Sequence, residues 1–186
     1  MTKKASPVTV HITALEMTAP PRAHMPSPAN LHIALMRVPE IPLPYYRFLY
    51  RQVGSRWQWV DRMRLSDEKL SETIHNDMTT VTVLYIEGAP AGFYEYQRRS
   101  DGVTELVHFG LFERALGLGV GKWFLLQGLY AIWGDKPEKV VTTTNNLDHP
   151  RALQLYQRFG FSPVSTYEGE IEPLTDKELL AIARGL

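Results

Sequence analysis

Apolar residues recur along the chain with two periods, and the change from one period to the other marks the elements. Residues 8–13 (Val-Thr-Val-His-Ile-Thr) alternate and are rich in β-branched side chains, which predicts a strand. Residues 31–38 predict a second strand. Between them Pro20, Pro21, Pro26 and Pro28 interrupt a stretch without periodicity, which predicts a stiff connector. Residues 43–53 place Tyr46, Leu49, Tyr50 and Val53 on one face of a helix, with Gly54 just past its end. A second helix is predicted over 67–75, capped by Ser66, with Lys69 leaving the capping box incomplete. Residues 81–87 and 91–98 predict a hairpin turning at Gly88-Ala89-Pro90, and 104–112 a further strand after Asp101-Gly102.

From Val120 the chain is apolar on every side of a helix, so that helix should be buried between the sheet and another layer. Residues 140–144 read as a strand. Pro150 then opens a helix with His149 or Asp148 as cap; Ala152, Leu155, Tyr156 and Phe159 share its apolar face and Gly160 stops it. The tail from Ser162 predicts a strand and a short helix over 175–184. No repeat, low-complexity tract or domain boundary interrupts the pattern, so residues 1–186 read as one domain with a substantial core.

Composition narrows the class. Apolar residues make up 44% and charged residues 22%, the balance of a globular protein. A net charge of +0 supplies no global field toward nucleic acid or anionic lipid, so neither is expected as a partner. The absence of cysteine removes disulfides, thiolate metal sites and a cysteine acyl-enzyme, and no metal is expected. The first seven residues carry two lysines but no apolar core for a signal peptide, and the apolar window 123–133 is too short to span a bilayer. The expected setting is the cytoplasm.

The chemistry concentrates between a strand and a helix. Glu105-Leu106-Val107-His108-Phe109-Gly110-Leu111 is followed by Leu116-Gly117-Leu118-Gly119-Val120-Gly121-Lys122, which sets three glycines at alternate positions before an apolar helix. Such a loop leaves backbone N–H groups beside a helix N-terminus, where they can hold a phosphate group. A P-loop would require Ser or Thr after Gly121-Lys122, where Trp123 stands. A dinucleotide fingerprint counted from Gly117 would require glycine at Lys122. The bland alternative is a tight packing turn.

This loop resembles the pyrophosphate loop of the GNAT acyl-CoA acetyltransferases, R/Q-x-x-G-x-G/A after the family's fourth strand. The similarity continues into residues 140–144, taken as its fifth strand, and into His149-Pro150-Arg151-Ala152-Leu153-Gln154-Leu155-Tyr156 followed by Gly160-Phe161, which is similar to the family's N-x-x-A-x-x-x-Y and its G-F ending. It covers roughly residues 80–165, while residues 1–75 match only in outline and fall where the acceptor side is built. Leu116 stands where Arg or Gln is usual, and His149 where Asn is usual.

The resemblance implies an α/β fold with a twisted, mixed, mostly antiparallel sheet flanked by helices and splayed between the family's fourth and fifth strands. It implies acetyl transfer from acetyl-CoA to an amine by direct attack in a ternary complex. Phe109, Gly110, Leu111, Leu116, Gly117, Leu118, Gly119, Val120, Gly121, Lys122, Asn146 and His149 would bind the cofactor. Tyr156, neutral at pH 7 with a pKa near ~10, would protonate the leaving sulfur; its alternative is a core tyrosine. Glu105 would be the base, its pKa raised by apolar neighbours; its alternative is a solvated strand-edge glutamate. His108 is a rival base that a regular strand would turn to the opposite face and a bulge would turn back.

Tyr46, Trp57, Trp59 and Glu95 are the candidates for the acceptor pocket, where aromatic faces suit a cationic amine. Ordinary core packing is the alternative, and Asp61-Arg62 read as a solvated or structural pair. The acceptor class expected is a small, partly apolar amine. A non-catalytic acyl-CoA-binding module, a peptide N-acetyltransferase and a homodimer all stay open.

Overall fold

Seven strands form one mixed sheet in the order β2-β3-β4-β5-β6-β1-β7, and the faces those strands offer decide where the helices lie. The computed structural model describes residues 6–183, so Met1 to Ala5, part of the segment tested above for a signal peptide, and Arg184 fall outside it. In chain order the elements are β1 (Val8–Met17), β2 (Ile33–Arg37), α1 (Leu43–Gly54), α2 (Asp61–Arg64), α3 (Asp67–Ile74), β3 (Thr79–Ile86) and β4 (Ala89–Arg98). They continue with β5 (Val103–Leu111), α4 (Val120–Gly134), β6 (Lys139–Asn145), α5 (Ala152–Arg158), β7 (Ser162–Ile171) and α6 (Asp176–Ala183). Every strand pairing is antiparallel except β5 with β6. The mixed, mostly antiparallel α/β architecture is the one expected.

Two cores result, one on each face. Val81 and Val83 of β3 and Phe93 of β4 pack with Tyr46, Leu49, Tyr50 and Val53 of α1 and Leu70 and Ile74 of α3. The alternate residues Leu84, Ile86, Tyr94 and Tyr96 pack with α4, whose Phe124, Leu125, Leu126, Leu129 and Ile132 are fully buried. The period of two in the strands thus sends each set to a different helical layer.

Four local features depart from the sequence reading. Glu87 and Gly88 take positive φ and form the β3–β4 turn, so Ala89 and Pro90 belong to β4, one step later than expected. Gly54 is the last helical residue of α1. A Cβ there would lie 2.3 Å from Cβ of Trp59, so glycine is required for that tryptophan to fold back over the helix end. The four-residue α2 follows after the loop 55–60 that carries Trp57 and Trp59. The last core helix starts at Ala152 with Arg151 at its cap position, because Asp148 turns away to accept from Thr144 Oγ1 at 2.8 Å and Asn145 N at 2.9 Å. At the tail, Thr175 and Glu178 form a reciprocal capping box that opens α6.

The first strand has the least expected position. β1 lies between β6 and β7, hydrogen-bonded to both. The proline-rich connector then crosses the α4 face, where Ala23, Met25 and Leu31 pack on the core and Tyr130 donates its hydroxyl to the Ala23 carbonyl.

β5 and β6 are paired only at Val103↔Lys139, Thr104↔Val140 and Glu105↔Val141. Beyond them Thr142 Oγ1 donates to the Leu106 carbonyl at 2.9 Å, a side chain replacing the backbone ladder for one last link. The strands then part, while β6 keeps its ladder to β1 as far as Asn145. No helix among the described residues is long and apolar enough to cross a membrane.

Candidate active site

The gap between β5 and β6 is flanked by groups of different chemistry on its two faces. On the α1 face, a register shift between Glu95 and Tyr96 pairs Glu95 with His108 but Tyr96 with Leu106, leaving Val107 as the extra residue of a bulge in β5. The bulge turns His108 to the same face as Glu95 and Glu105. There His108 Nδ1 lies 3.2 Å from Glu95 Oε2. An ionised carboxylate only accepts, so Nδ1 carries a proton in either state of the ring, and in the neutral imidazole Nε2 keeps its lone pair.

Glu95 is 1% exposed and is held by two further donors. Tyr46 Oη donates to Oε2 at 2.5 Å, and Arg62 Nη2 donates to Oε1 at 2.8 Å. Burial alone would raise the Glu95 pKa. The charge and hydrogen bond of His108, then Arg62 and Tyr46, outweigh it and hold the carboxyl down at about 2. Burial, followed by the Glu95 charge, pushes the Tyr46 phenol well above its ordinary value, so it stays a donor. Three rings enclose the imidazole: Trp59 at 5.0 Å, Tyr50 at 5.1 Å and Phe93 at 6.3 Å between centroids.

The α1–α2 loop closes this face toward the β6–α5 loop. Trp59 Nε1 donates to Asp148 Oδ1 at 3.4 Å, and the Trp57 ring meets His149 at 5.5 Å. On the opposite face, Tyr156 of α5 is buried against Phe161 and within reach of the Thr142 hydroxyl that links β6 to Leu106. Burial, with the Asp148 charge second, raises its phenol pKa against the opposing effect of Thr142. Tyr156 is therefore a protonated donor at any ordinary pH.

Beside the gap lies the glycine loop. Gly117 and Gly119 take φ of +82° and +76°, and a Cβ on either would meet nothing within 4 Å. Close packing therefore does not explain these glycines; the left-handed backbone and the open space before it do. Gly119 precedes the first residue of α4 and offers no side-chain cap, so the first-turn N–H groups of that 15-residue helix are left for a ligand. A Cβ on Gly121 would point at the Leu111 side chain, 3.4 Å away, and Lys122 is exposed. Leu116 and Leu118 project into solvent, 38% and 43% exposed. A loop so built can hold an anionic group such as a phosphate.

The structure distributes the other candidate residues unevenly. Phe109 packs at a tilt against Phe124 of the core and Gly110 faces Val53 of α1, so each can offer a ligand only its backbone. Phe112 N–H donates to Ala91 of β4, which directs the neighbouring Leu111 N–H the other way, into the gap. Asn146 uses its Oδ1 to accept from His11 N at 2.7 Å, tying β6 to β1. Glu105 lies at the paired end of β5 and β6, with its carboxylate on the Arg99 guanidinium.

Arg62 pairs with Glu95 and not with Asp61, and it was the residue that sequence reasoning missed. A signal existed: Tyr46 and Tyr50 on a buried helix face carry hydroxyls that require polar partners. A cavity of about 510 Å³ lies elsewhere, between α1, the segment around Met63–Ser66 and Ile182 of α6. Its Arg47 is already paired with Asp67, and the reactive groups are all at the gap. No cluster of three or more metal-ligating side chains occurs among the described residues.

No protein-family model and no curated protein matches the chain. Solved structures do match in fold. The chain is similar to an IAA acetyltransferase from Bacillus cereus, at 21% identity over 72% of this chain and 79% of that one, with a TM-score of 0.55. It is similar to a GCN5-related N-acetyltransferase from Sphaerobacter thermophilus, at 18% identity over 94% of this chain, TM-score 0.58. It is also similar to a tandem GNAT protein of the clavulanic acid biosynthesis pathway, at 14% identity over 92% of this chain, TM-score 0.59. It spans 56% of the length of each of the last two. The chain has the GNAT fold.

Proposed function

We propose that this chain, built on the fold of the GNAT acetyltransferases, transfers an acetyl group from acetyl-CoA to an amine by direct attack in a ternary complex. The observation that carries the reading is the splay of β5 from β6. An imidazole–carboxylate pair stands on one side of it, a protonated phenol on the other, and an uncapped glycine-rich helix start beside it.

Acetyl-CoA would supply the activated thioester. The N–H groups of residues 118–122 and the Lys122 charge would bind its pyrophosphate, and the Leu111 N–H, directed into the gap, would orient the thioester carbonyl. His108 Nε2 would take the proton from the amine. Glu95 fixes the tautomer and stabilises the imidazolium as it forms, while Tyr46 and Arg62 fix Glu95. Tyr156 Oη would give its proton to the departing sulfur. His108 is preferred to Glu105 as the base because the Glu105 carboxylate is engaged by Arg99, at the closed end of the splay.

The test is a panel of amines, basic peptides included, assayed for CoA-thiol release by the wild-type protein and by His108→Gln. Amine-dependent release that the substitution abolishes is expected. Tight acetyl-CoA binding without release from any amine would leave a binding module.

A further inference from the structure

Helix α1 presents two stripes. Tyr46, Leu49, Tyr50 and Val53 face the core, and the adjacent stripe Pro44, Arg47, Phe48 and Arg51, at i, i+3, i+4 and i+7, lines the cavity of about 510 Å³. Met63, Leu65, the start of α3 and Ile182 of α6 complete its walls. A second cavity, of about 440 Å³, shares Met63 and Ile182 as walls. Protein interiors pack with few voids larger than a water molecule, whereas small-molecule pockets run to about 300–1,000 Å³.

Helix α6 roofs this space without filling it. Among the described residues, none of α6 belongs to either core, and Leu179 and Leu180 turn to solvent. Its polar anchor is Arg64, which donates Nε to Glu178 Oε1 at 2.8 Å. The same guanidinium donates Nη1 to the Glu172 carbonyl at 2.8 Å and Nη2 to the Pro173 carbonyl at 3.0 Å. A helix held in this way can move aside for a ligand without breaking a core.

The charged groups on the walls are not equally committed. Arg47 gives Nη1 to Asp67 Oδ1 at 2.5 Å and Nη2 to the Leu65 carbonyl at 2.7 Å, so its charge and that of Asp67 offset each other. In the second cavity Glu178 and Arg64 offset each other likewise. Asp61 and Glu172 act on Arg64 and line neither cavity. Arg51 is exposed and has no hydrogen-bond or ion-pair partner among the described residues. It brings an unmatched positive charge to a space whose other walls, Pro44, Phe48, Met63, Leu65 and Ile182, are apolar.

We propose that this cavity is a second ligand site, which takes a small soluble molecule with an apolar body and one carboxylate. The body lies against Phe48, Met63, Leu65 and Ile182, and the carboxylate meets the Arg51 guanidinium, whose planar fork suits it. The site goes beyond acetyl transfer and uses none of the residues assigned to that reaction.

The experiment is calorimetry at neutral pH with three probes of equal chain length: octanoate, 1-octanol and octylamine. Wild-type protein should bind octanoate with a Kd below about 1 mM, roughly fivefold or more tighter than either analogue. Arg51→Gln should bring octanoate to the level of octanol and leave octanol unchanged. In protein labelled at its methionine and isoleucine methyl groups, octanoate should shift the Met63 and Ile182 resonances.

Octanoate bound no tighter than octanol, or octylamine bound best, would overturn the proposal. So would an unchanged octanoate affinity in Arg51→Gln, or methyl shifts that spare Met63 and Ile182. If Arg51→Gln does not fold, the wild-type order and the methyl shifts decide. None of these readouts needs turnover, so failure of this site and failure of acetyl transfer are told apart.

Discussion

Glu95 and His108 face each other across the β4–β5 ladder, Oε2 to Nδ1 at 3.2 Å, because β5 gains one residue at Val107. Were Val107 held in register, it would itself face Glu95 and the alternation of the strand would send His108 to the α4 core, leaving the buried carboxylate without its imidazole partner. One bulge thus decides which titratable group borders the gap.

Glu95→Gln keeps the shape of the side chain and removes the charge that orients His108. A drop in kcat of roughly 100-fold or more is expected, with acetyl-CoA affinity unchanged. A kcat within a few-fold of wild type would show that His108 needs no orienting carboxylate.

Thermal stability should report the same carboxylate. The folded-state pKa of Glu95 lies at about 2, below its ordinary 4.5, so its contribution is present above pH 4.5 and is lost as pH falls toward 2. Glu68 and Glu87 shift the same way but are solvent-exposed, and high salt screens them; Glu178, half-exposed and held by Arg64 and Thr175, contributes alike in both proteins. The acid-side fall in Tm at high salt should therefore be markedly shallower in Glu95→Gln than in wild type.

Tyr156→Phe keeps the ring in its packing against Phe161 and removes only the hydroxyl. It should lower kcat by roughly 10- to 10⁴-fold with little change in acetyl-CoA affinity. Since burial raises the phenol pKa, wild-type kcat should show no loss of an essential acid up to about pH 10. A descending limb below that pH, absent from Tyr156→Phe, would contradict the raised phenol.

Gly121→Val is the cleanest test of the loop. Gly117 and Gly119 have left-handed backbones, so substitution there mixes strain with blockage; Gly121 does not, and its added side chain meets only the flexible end of Leu111. Acetyl-CoA affinity measured by calorimetry should fall at least tenfold while Tm moves by no more than a few degrees. Unchanged affinity would place the cofactor elsewhere.

Trp59→Phe removes the N–H that reaches Asp148 and keeps an aromatic face on His108. It should raise KM for the amine severalfold and leave KM for acetyl-CoA unchanged. A rise in both would mean that the α1–α2 loop holds the β6–α5 loop, and with it the cofactor side.

The local pattern was enough for most of the elements and for the backbone shape of the glycine loop. Glycine at 117 and 119, the all-round apolar helix after Val120 and the apolar stripe through Tyr156 are consequences of backbone geometry and short-range periodicity, which neighbours in sequence report faithfully. The face of α1 carrying Tyr46, Leu49, Tyr50 and Val53 was legible for the same reason. The acceptor side was legible only as a set of residue types. Glu95 and Trp59 were nameable, yet nothing local says that Glu95 is saturated by Tyr46, Arg62 and His108.

Three decisions belonged to the tertiary structure alone. A bulge adds one residue whose effect appears only against the partner strand, so His108 rather than Glu105 came to border the gap. Arg62 pairs away from its neighbour Asp61 because the buried carboxylate of Glu95, on β4, offers a stronger partner than an exposed one. The position of β1 between β6 and β7 depends on strand pairing over more than a hundred residues of chain. Periodicity fixes which face of a strand is apolar and is silent on which strand lies beside it, because both edges of an extended backbone offer the same donors and acceptors.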